Sequence, residues 1–279
     1  MNAPLTLPYV EADLHYADPS QGAHKLNNAN MAKSTHTHDV HHVRIHDMRP
    51  VKDGLALDRN GFALLSEPTK VRDFTDEKEV EAVYFPEVEA MMKRLTGADR
   101  VLLYGPIRRS GDPARGEGVS PVTRPIPHID HNEPTVRHFV TTLVPEAEAE
   151  ELLERKRFML VNVWRPITPV ERDPLALCDA STITRADLFP AKIYGGIGSD
   201  PNDPEKFVAE GWSVTWNDNH RWYYVPEMQP GEALAFRLMD TDLSMPQFTA
   251  HAAFADPSAR ADAPARQSFE IRTICFLPD

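Results

Sequence analysis

Three side chains of this sequence have the types and spacing needed to share one metal ion. His128 and Asp130 stand two positions apart, and His251 follows far downstream. If residues 125–130 are extended, side chains two apart project from the same face of the strand, with about 7 Å between their Cα atoms. Two imidazoles and one carboxylate leave open coordination positions on an ion, an arrangement typical of non-haem Fe(II) centres. The pattern therefore predicts a reactive metal site.

Other histidines are rivals for these positions. His131 and His138 lie close to the pair in sequence, but an extended chain points His131 to the opposite face from His128. His220 precedes an aromatic run and fits a packed structural residue equally well. A His-x-Asp tripeptide also arises by chance, and a histidine at a strand end satisfied by hydrogen bonds is the alternative interpretation.

His251 is favoured because of the segment that follows it. Residues 266–272 alternate polar and apolar side chains with the period of two expected for a half-buried strand. Arg266 and Ser268 share one face of that strand, where a guanidinium and a hydroxyl can clamp a carboxylate together. A surface strand with solvated Glu270 and Arg272 is the alternative.

Several motifs of the chain occur in the order found in a known family. They are Gly61-Phe62-Ala63-Leu64, His128-Ile129-Asp130, Asn162-Val163-Trp164-Arg165-Pro166-Ile167, the run from Pro174 to Ser181, His220-Arg221-Trp222-Tyr223-Tyr224, the run from His251 to Pro257, and Arg266-Gln267-Ser268-Phe269-Glu270-Ile271-Arg272. In this order they resemble the iron- and 2-oxoglutarate-dependent oxygenases, in the subgroup of cephamycin-methoxylation proteins, gibberellin desaturase and fungal endoperoxide-forming enzymes. The resemblance spans most of residues 58–279.

This resemblance implies a mainly β fold with flanking helices around a double-stranded β-helix, the jelly-roll or cupin-like core. It implies Fe(II) on His128, Asp130 and His251, with 2-oxoglutarate and O₂ as cosubstrates. Arg266 and Ser268 match the pair that holds the distal carboxylate of 2-oxoglutarate in the wider superfamily, and Arg165 and Arg272 are its rivals. The implied activity is hydroxylation or desaturation of a small, natural-product-like or acidic organic substrate.

Two other functional classes stay open on the sequence. A cupin-like dioxygenase or isomerase can use the same three ligands without 2-oxoglutarate. A non-catalytic metal-binding or ligand-binding barrel is the second alternative. These readings differ in whether 2-oxoglutarate is consumed.

Composition favours a small-molecule partner. The 279 residues carry 30 basic and 42 acidic side chains, a net charge of −12, which disfavours binding to a nucleic-acid backbone. Only Cys178 and Cys275 are present, so we expect reduced thiols and a cytoplasmic protein. No segment reads as a signal peptide or a membrane span. The sequence leaves a homo-oligomer open.

The chain divides by pattern into two parts. Residues 1–57 read as a polar, solvated N-terminal arm that crosses the surface or reaches a neighbouring subunit, and residues 58–279 as the double-stranded β-helix domain. The arm holds seven of the twelve histidines, a cluster that can bind metal adventitiously and that includes His36, His38, His41, His42 and His46. Within the domain we expect a helix from residue 75 to 95 that Gly97 stops, and a loop over 105–127. Arg108 and Arg109 of that loop are candidate binders of a substrate carboxylate. Residues 194–199 read as a turn.

Overall fold

The computed structural model of the protein describes residues 7–21, 24–27, 33–35, 38–116, 118–122, 125–194 and 207–278. The predicted turn at 194–199 lies outside the described residues except for Tyr194. His36 also lies outside the described residues. None of the helices in the described part of the chain is both long and apolar enough to cross a membrane.

Strands dominate the described chain. In order along the chain they are β1 Tyr9–Ala17, β2 His24–Asn27, β3 His38–Asp47, β4 Phe62–Ser66, β5 Arg100–Ser110, β6 Ser120–Pro121, β7 His128–Ile129, β8 Phe158–Pro166, β9 Leu175–Cys178, β10 Leu188–Tyr194, β11 Phe207–Val214, β12 Trp222–Tyr224, β13 Glu232–Asp240, β14 His251–Ala253 and β15 Gln267–Phe276. The helices are α1 Glu77–Glu79, a π-helical turn Val80–Tyr84, α2 Phe85–Thr96, α3 Glu133–Leu143 and α4 Glu146–Arg155. Short 3₁₀ turns cover Pro19–Gln21, Arg49–Gly54, Ala180–Thr182 and Arg185–Asp187.

The strands form two sheets that face each other. One has nine strands in the order β1-β3-β12-β9-β14-β7-β11-β10-β2, and the other has six in the order β4-β13-β8-β15-β5-β6. Neighbours along each sheet are mostly distant in sequence, as expected when a chain winds between two sheets. The predicted mainly β fold with a double-stranded β-helix, or jelly-roll, core is confirmed.

The six-stranded sheet is buried on both faces. All nine residues of β8 are buried, and their alternate side chains belong to two separate apolar clusters. One cluster fills the space between the sheets, and the other packs the outer face of the sheet against α2. Because β8 has no solvated face, its sequence lacks the polar alternation that would show which side points inward.

The predicted helix over residues 75–95 is confirmed with clear chemical causes for both ends. Asp76 caps the first turn by accepting hydrogen bonds from the backbone N–H groups of Lys78 and Glu79. Gly97 ends α2 in the left-handed conformation, with φ of 76°, which glycine adopts without steric cost. The buried side chains Val88, Met91 and Met92 face the outer surface of the six-stranded sheet.

The N-terminal segment differs from the solvated arm that we expected. Strands β1 and β3 pair along their whole length, and β3 joins the nine-stranded sheet through β12. Leu14, Tyr16 and Ile45 are fully buried, and the Tyr16 hydroxyl accepts a hydrogen bond from Trp222 Nε1 at 2.7 Å. The expectation of a solvated arm is therefore wrong for the described residues. The apolar residues of β1 stand at every second position, which is the pattern of a half-buried strand.

The region predicted as a loop over 105–127 is also partly regular. Strand β5 continues to Ser110 and includes both Arg108 and Arg109, and it pairs with β15 along this extension. Glycine at position 105, with φ of 60°, accompanies a shift in the register of that pairing. Strand β5 thus carries the two arginines that were expected in a loop, and its end also pairs with β6.

Candidate active site

The nine-stranded sheet brings His128, Asp130 and His251 together on its inner face, because β7 and β14 are neighbouring strands. His128 on β7 is the direct cross-strand partner of His251 on β14, and their ring centroids are 4.2 Å apart. The Asp130 Oδ1 atom lies 3.5 Å from His128 Nε2 and 3.7 Å from His251 Nε2. One ligand atom from each residue lies within 4.8 Å of the other two. Among the described residues, no other group of three or more His, Cys, Asp or Glu side chains meets this spacing.

Local backbone structure explains where Asp130 stands. Strand β7 contains only two residues, so Asp130 lies in the bend just beyond it, before Asn132 caps α3. Strand β11 passes directly over this bend at Gly211, where a Cβ atom would overlap the carbonyl oxygens of Ile129 and Asp130. Glycine at 211 therefore permits the close approach of β11 that fixes the bend.

Hydrogen bonding and burial set the state of the two imidazoles. His128 Nδ1 lies 2.8 Å from the Ile126 carbonyl oxygen, so Nδ1 donates and Nε2 keeps its lone pair. Burial, together with the positive charge that His128 can carry, lowers the pKa of His251 to about 3, which keeps its ring neutral. The Phe236 ring packs on the His251 ring, with 4.8 Å between their centroids. His251 Nδ1 has no hydrogen-bond partner among the described residues.

Arg272 holds the carboxylate of Asp130. Its Nε and Nη2 atoms lie 2.9 and 2.8 Å from Oδ2, which leaves Oδ1 facing the two histidines. Burial works against the charged carboxylate, but the adjacent Arg272 guanidinium and the two histidines outweigh it, and the pKa of Asp130 lies well below its usual range. Asp130 is therefore ionised at neutral pH. The structure gives Arg272 a different partner from the 2-oxoglutarate carboxylate that we predicted.

Glu270 forms ion pairs that link Arg272 to Arg109. Glu270 Oε1 lies 3.7 Å from Arg272 Nη2 and 2.8 Å from Arg109 Nη2. Burial opposes ionisation of Glu270, but the charges of Arg109 and Arg272 prevail and lower its pKa. Arg109 also donates to the Pro121 carbonyl oxygen at 3.1 Å. Its donors are thus engaged within the protein, which disfavours the predicted role of Arg109 in holding a substrate carboxylate.

The other end of the same inner face carries polar atoms without partners. Arg266, at the start of β15, donates from Nη1 to the Asp173 carbonyl oxygen, while its Nε and Nη2 atoms are buried and have no partner among the described residues. Ser268 Oγ and Trp164 Nε1 are also buried and have no hydrogen-bond partner among the described residues. The Arg266 guanidinium lies 5.4 Å from the centroid of the Trp164 ring. Burial, with a contribution from Arg109, lowers the pKa of Arg266 to about 10, so the side chain stays charged at neutral pH.

Arg165, the other predicted rival, points away from this space. It follows Trp164 on β8 and so faces the opposite side of the strand. Its Nε donates to the Tyr84 hydroxyl and its Nη2 to the Glu67 carbonyl oxygen, both at 2.9 Å. Tyr84 belongs to the apolar cluster under α2. Arg165 therefore contacts the helix layer and not the triad.

The rival histidines have other surroundings. His131 is buried with Nδ1 2.9 Å from the Tyr104 hydroxyl, and burial lowers its pKa to about 3. His138 is exposed on α3. His220 stacks on Tyr16 with 5.7 Å between ring centroids, on the side of the nine-stranded sheet opposite to His251.

Sequence reasoning missed four residues of this region: Asn162, Trp164, Gly211 and Glu270. Asn162 and Trp164 were quoted only as parts of a family motif, although a polar amide inside the apolar run of β8 is itself a signal. Glu270 was placed on the same strand face as Arg266 and Ser268 but was given no role, and the alternative interpretation treated it as solvated or paired. Nothing local distinguishes Gly211 from a turn glycine.

Comparison with known proteins agrees with this geometry. A family model described as "YDMC: Oxidoreductase/YMDC permease-like domain" matches residues 7–276. The hydroxylase/desaturase efuI of Hormonema carpetanum is 29% identical and covers 100% of this chain and 99% of its own length. The Fe(II)/2-oxoglutarate-dependent dioxygenase nvfI of Aspergillus novofumigatus is 31% identical and covers 85% of this chain and 83% of its own length.

A solved structure supports the same grouping. The iron and alpha-ketoglutarate-dependent endoperoxidase NvfI superimposes with a TM-score of 0.82 and 26% identity, covering 97% of this chain and 99% of its own. The family model spans all three triad positions, and the nvfI relative matches more than two thirds of the chain. The chain therefore belongs to this oxidoreductase family, the iron- and 2-oxoglutarate-dependent oxygenases that include fungal hydroxylase/desaturases and an endoperoxidase.

Proposed function

We propose that this chain is a non-haem Fe(II)- and 2-oxoglutarate-dependent oxygenase that hydroxylates or desaturates a small organic substrate. The observation that carries the proposal is the convergence of His128, Asp130 and His251 on one point between the sheets. The relatives named as hydroxylase/desaturase and as 2-oxoglutarate-dependent dioxygenase support the reaction class.

The donor set fits Fe(II). His128 Nε2 and His251 Nε2 are imidazole nitrogens, and Asp130 Oδ1 is a charged oxygen that faces both of them. Because Arg272 bonds Oδ2, Asp130 would offer a single oxygen to the ion. These three atoms would hold Fe(II) and leave coordination positions free for the oxoacid and O₂.

The unpartnered polar atoms near Arg266 fit the distal carboxylate of 2-oxoglutarate. Arg266 Nε and Nη2 and Ser268 Oγ are buried donors that lack a partner in the part of the chain that the structure describes. A buried polar group without a hydrogen bond destabilises the fold, so an anion that satisfies three such groups would bind there favourably. Of the four residues that we predicted for the cosubstrate, we propose Arg266 and Ser268 and assign Arg272 to Asp130 and Arg165 to the helix layer.

The protein groups around the triad would orient and shield the reactants. When bound, Fe(II), 2-oxoglutarate and O₂ supply oxidation of a substrate C–H bond while the oxoacid loses CO₂ and becomes succinate. Arg272 keeps Asp130 ionised and fixed, and the Ile126 carbonyl oxygen fixes the tautomer of His128. Phe236 covers one side of His251 and excludes water from it.

The two alternatives lack a comparable observation. A barrel that works without an oxoacid gives no reason for the unpaired donors of Arg266 and Ser268. Among the described residues of the histidine-rich segment, no three His, Cys, Asp or Glu side chains lie close enough to share a metal ion. We further propose a cytoplasmic location, because Cys178 and Cys275 are both free and buried, as in proteins of reducing compartments.

An anaerobic titration tests the proposal without a known substrate. Fe(II) is added first, 2-oxoglutarate second, and the weak visible charge-transfer absorption of an iron-bound oxoacid is followed. We expect the band for the unchanged protein and not for His251→Ala. Admission of O₂ should then yield succinate. If the unchanged protein binds Fe(II) but gives neither band nor succinate, it is not a 2-oxoglutarate-dependent oxygenase.

A further inference from the structure

One row of side chains crosses the six-stranded sheet at the level of the triad. Residues that are direct partners in neighbouring strands project from the same face of the sheet. The row runs along the inner face and consists of Phe62, Phe236, Asn162, Arg272 and Tyr104. Asn162, on the central strand β8, lies directly between Phe236 and Arg272.

Four of the five members of the row each contact a residue on the opposite side of the interior. These contacts join Phe62 to Tyr223, Phe236 to His251, Arg272 to Asp130 and Tyr104 to His131. Asn162 is the exception, because neither its Nδ2 nor its Oδ1 has a hydrogen-bond partner among the described residues. Its side chain therefore lies between the groups that contact two members of the triad.

The unpaired amide is costly at this position. Asn162 is 0% exposed, so water cannot satisfy it from the outside. A buried amide without hydrogen bonds lowers stability relative to an apolar residue of similar size. The neighbouring side chains Phe236 and Leu160 belong to the apolar cluster between the sheets, so a leucine would suit the surroundings better. The chain thus keeps a destabilising polar group beside its metal site.

We propose that Asn162 binds the 2-oxoacid end of the cosubstrate, donating from Nδ2 to a carboxylate or keto oxygen beside the metal. This inference rests on the proposed function. Arg266 and Ser268 would hold the opposite end of the molecule, because Ser268 stands four positions before Arg272 on β15, about 13 Å along the strand. The two ends of a five-carbon dicarboxylate are then recognised by different side chains.

Two oxoacid probes separate these roles. Pyruvate shares the oxoacid end of 2-oxoglutarate but lacks the distal carboxylate. In anaerobic Fe(II) protein, Asn162→Leu should weaken both probes by a similar factor, about tenfold or more, as the charge-transfer band reports. Arg266→Met should weaken 2-oxoglutarate and leave pyruvate unchanged. Asn162→Asp provides a second variant, because its negative charge should repel both oxoacids.

Thermal unfolding of the metal-free protein distinguishes a ligand-binding asparagine from a structural one. Asn162→Leu should melt at the same temperature as the unchanged protein or higher, because the variant removes an unsatisfied buried amide. Asn217→Leu is the matched control. Asn217 donates to Asp187 at 2.8 Å, so its loss should lower the melting temperature and leave both oxoacid affinities unchanged.

The outcomes distinguish this inference from the function on which it rests. If the unchanged protein gives no charge-transfer band with either oxoacid, the proposed function fails and the role of Asn162 fails with it. If the unchanged protein gives the band while Asn162→Leu and Asn162→Asp keep both affinities, only the role of Asn162 is overturned. A fall in melting temperature for Asn162→Leu with unchanged affinities would likewise identify a structural asparagine.

Discussion

The two polar ends of the inner face differ in how their groups are satisfied. At the triad end, Asp130, Arg272 and Glu270 are bonded to one another in a continuous chain of charges. At the other end, Arg266 and Ser268 keep buried donors without partners among the described residues. Arg272 and Glu270 are buried, as are Arg266 and Ser268, so the difference does not arise from exposure.

The contrast separates two ways of building a binding site. A metal ligand must be held in place before the ion arrives, and the bonds from Arg272 do this for Asp130. A site for an exchangeable anion must instead keep its donors free, which costs stability until the anion binds. Loss of a group from the paired end should therefore lower stability, whereas loss from the unpaired end should mainly lower affinity.

Triad substitutions are expected to have the largest effect and to differ among themselves. His128→Ala, Asp130→Ala and His251→Ala should each abolish the charge-transfer band and succinate formation. Only Asp130→Ala leaves a buried arginine without its main partner, so it should also lower the free energy of unfolding by about 3–5 kcal/mol. Chemical denaturation of the three variants without metal measures this difference. Equal stability of all three would contradict the supporting role of Arg272.

Arg266→Met probes the unpaired end. We expect the Kd for 2-oxoglutarate to rise by about 100-fold, because two charge-assisted hydrogen bonds are lost. The metal-free variant loses one hydrogen bond, from Nη1 to the Asp173 carbonyl oxygen, because Arg266 Nε and Nη2 lack partners among the described residues. Its melting temperature should therefore fall less than that of Arg165→Met. Titration of the absorption band gives the Kd. An unchanged Kd would mean that another arginine binds the distal carboxylate of 2-oxoglutarate.

Arg165→Met is the matched control for Arg266→Met, because both arginines flank Trp164 but Arg165 bonds Tyr84 and Glu67. We expect a loss of about 2 kcal/mol in the free energy of unfolding. The Kd for 2-oxoglutarate should stay within twofold or so of the unchanged value. A large rise in that Kd without loss of stability would reverse the assignments of the two arginines.

Glu270→Gln tests the charge chain through pH. The pKa of Glu270 is lowered in the folded protein, so its ionised form contributes stability above the unfolded pKa of about 4.3. That contribution should disappear as pH falls through the folded pKa. The metal-free variant should thus be less stable than the unchanged protein at neutral pH, by about 2 kcal/mol, and the gap should close in acid. A gap that is constant with pH would exclude a role for the charge.

Ser268→Ala should produce the smallest change. One hydrogen bond to the distal carboxylate is lost, which should raise the Kd for 2-oxoglutarate by about fivefold to tenfold. Stability without ligand should be unchanged or slightly higher, because a buried hydroxyl without a partner is removed. Pyruvate binding serves as the internal control and should not change.

Part of this site could be predicted from sequence because its signals are local. The His-x-Asp spacing and the period-two strand around Arg266 follow from strand geometry alone, and the helix ends at Asp76 and Gly97 follow from capping chemistry. The choice among Arg165, Arg266 and Arg272 could not be made. It depends on which face of β8 points inward and on a cross-sheet bond to Asp130, and neither is encoded in a short window.

Composition obscured the N-terminal strands in a similar way. The many histidines of residues 38–46 suggested a solvated segment, although Val43 and Ile45 alternate with polar neighbours as a half-buried strand requires. The error came from weighing polarity above periodicity. The extension of β5 to Arg109 was missed because proline and glycine dominate its surroundings.

The antiparallel pair of strands β1 and β3 limits how the enzyme can be shortened. A chain beginning at residue 58 would uncover the Trp222 indole and leave its N–H without the Tyr16 hydroxyl. It would also remove β3, one of the two neighbours of β12, and leave β12 as an unpaired, aggregation-prone edge. The number of histidines is better reduced by substitution at exposed positions such as His42, which leaves the β1–β3 pair in place.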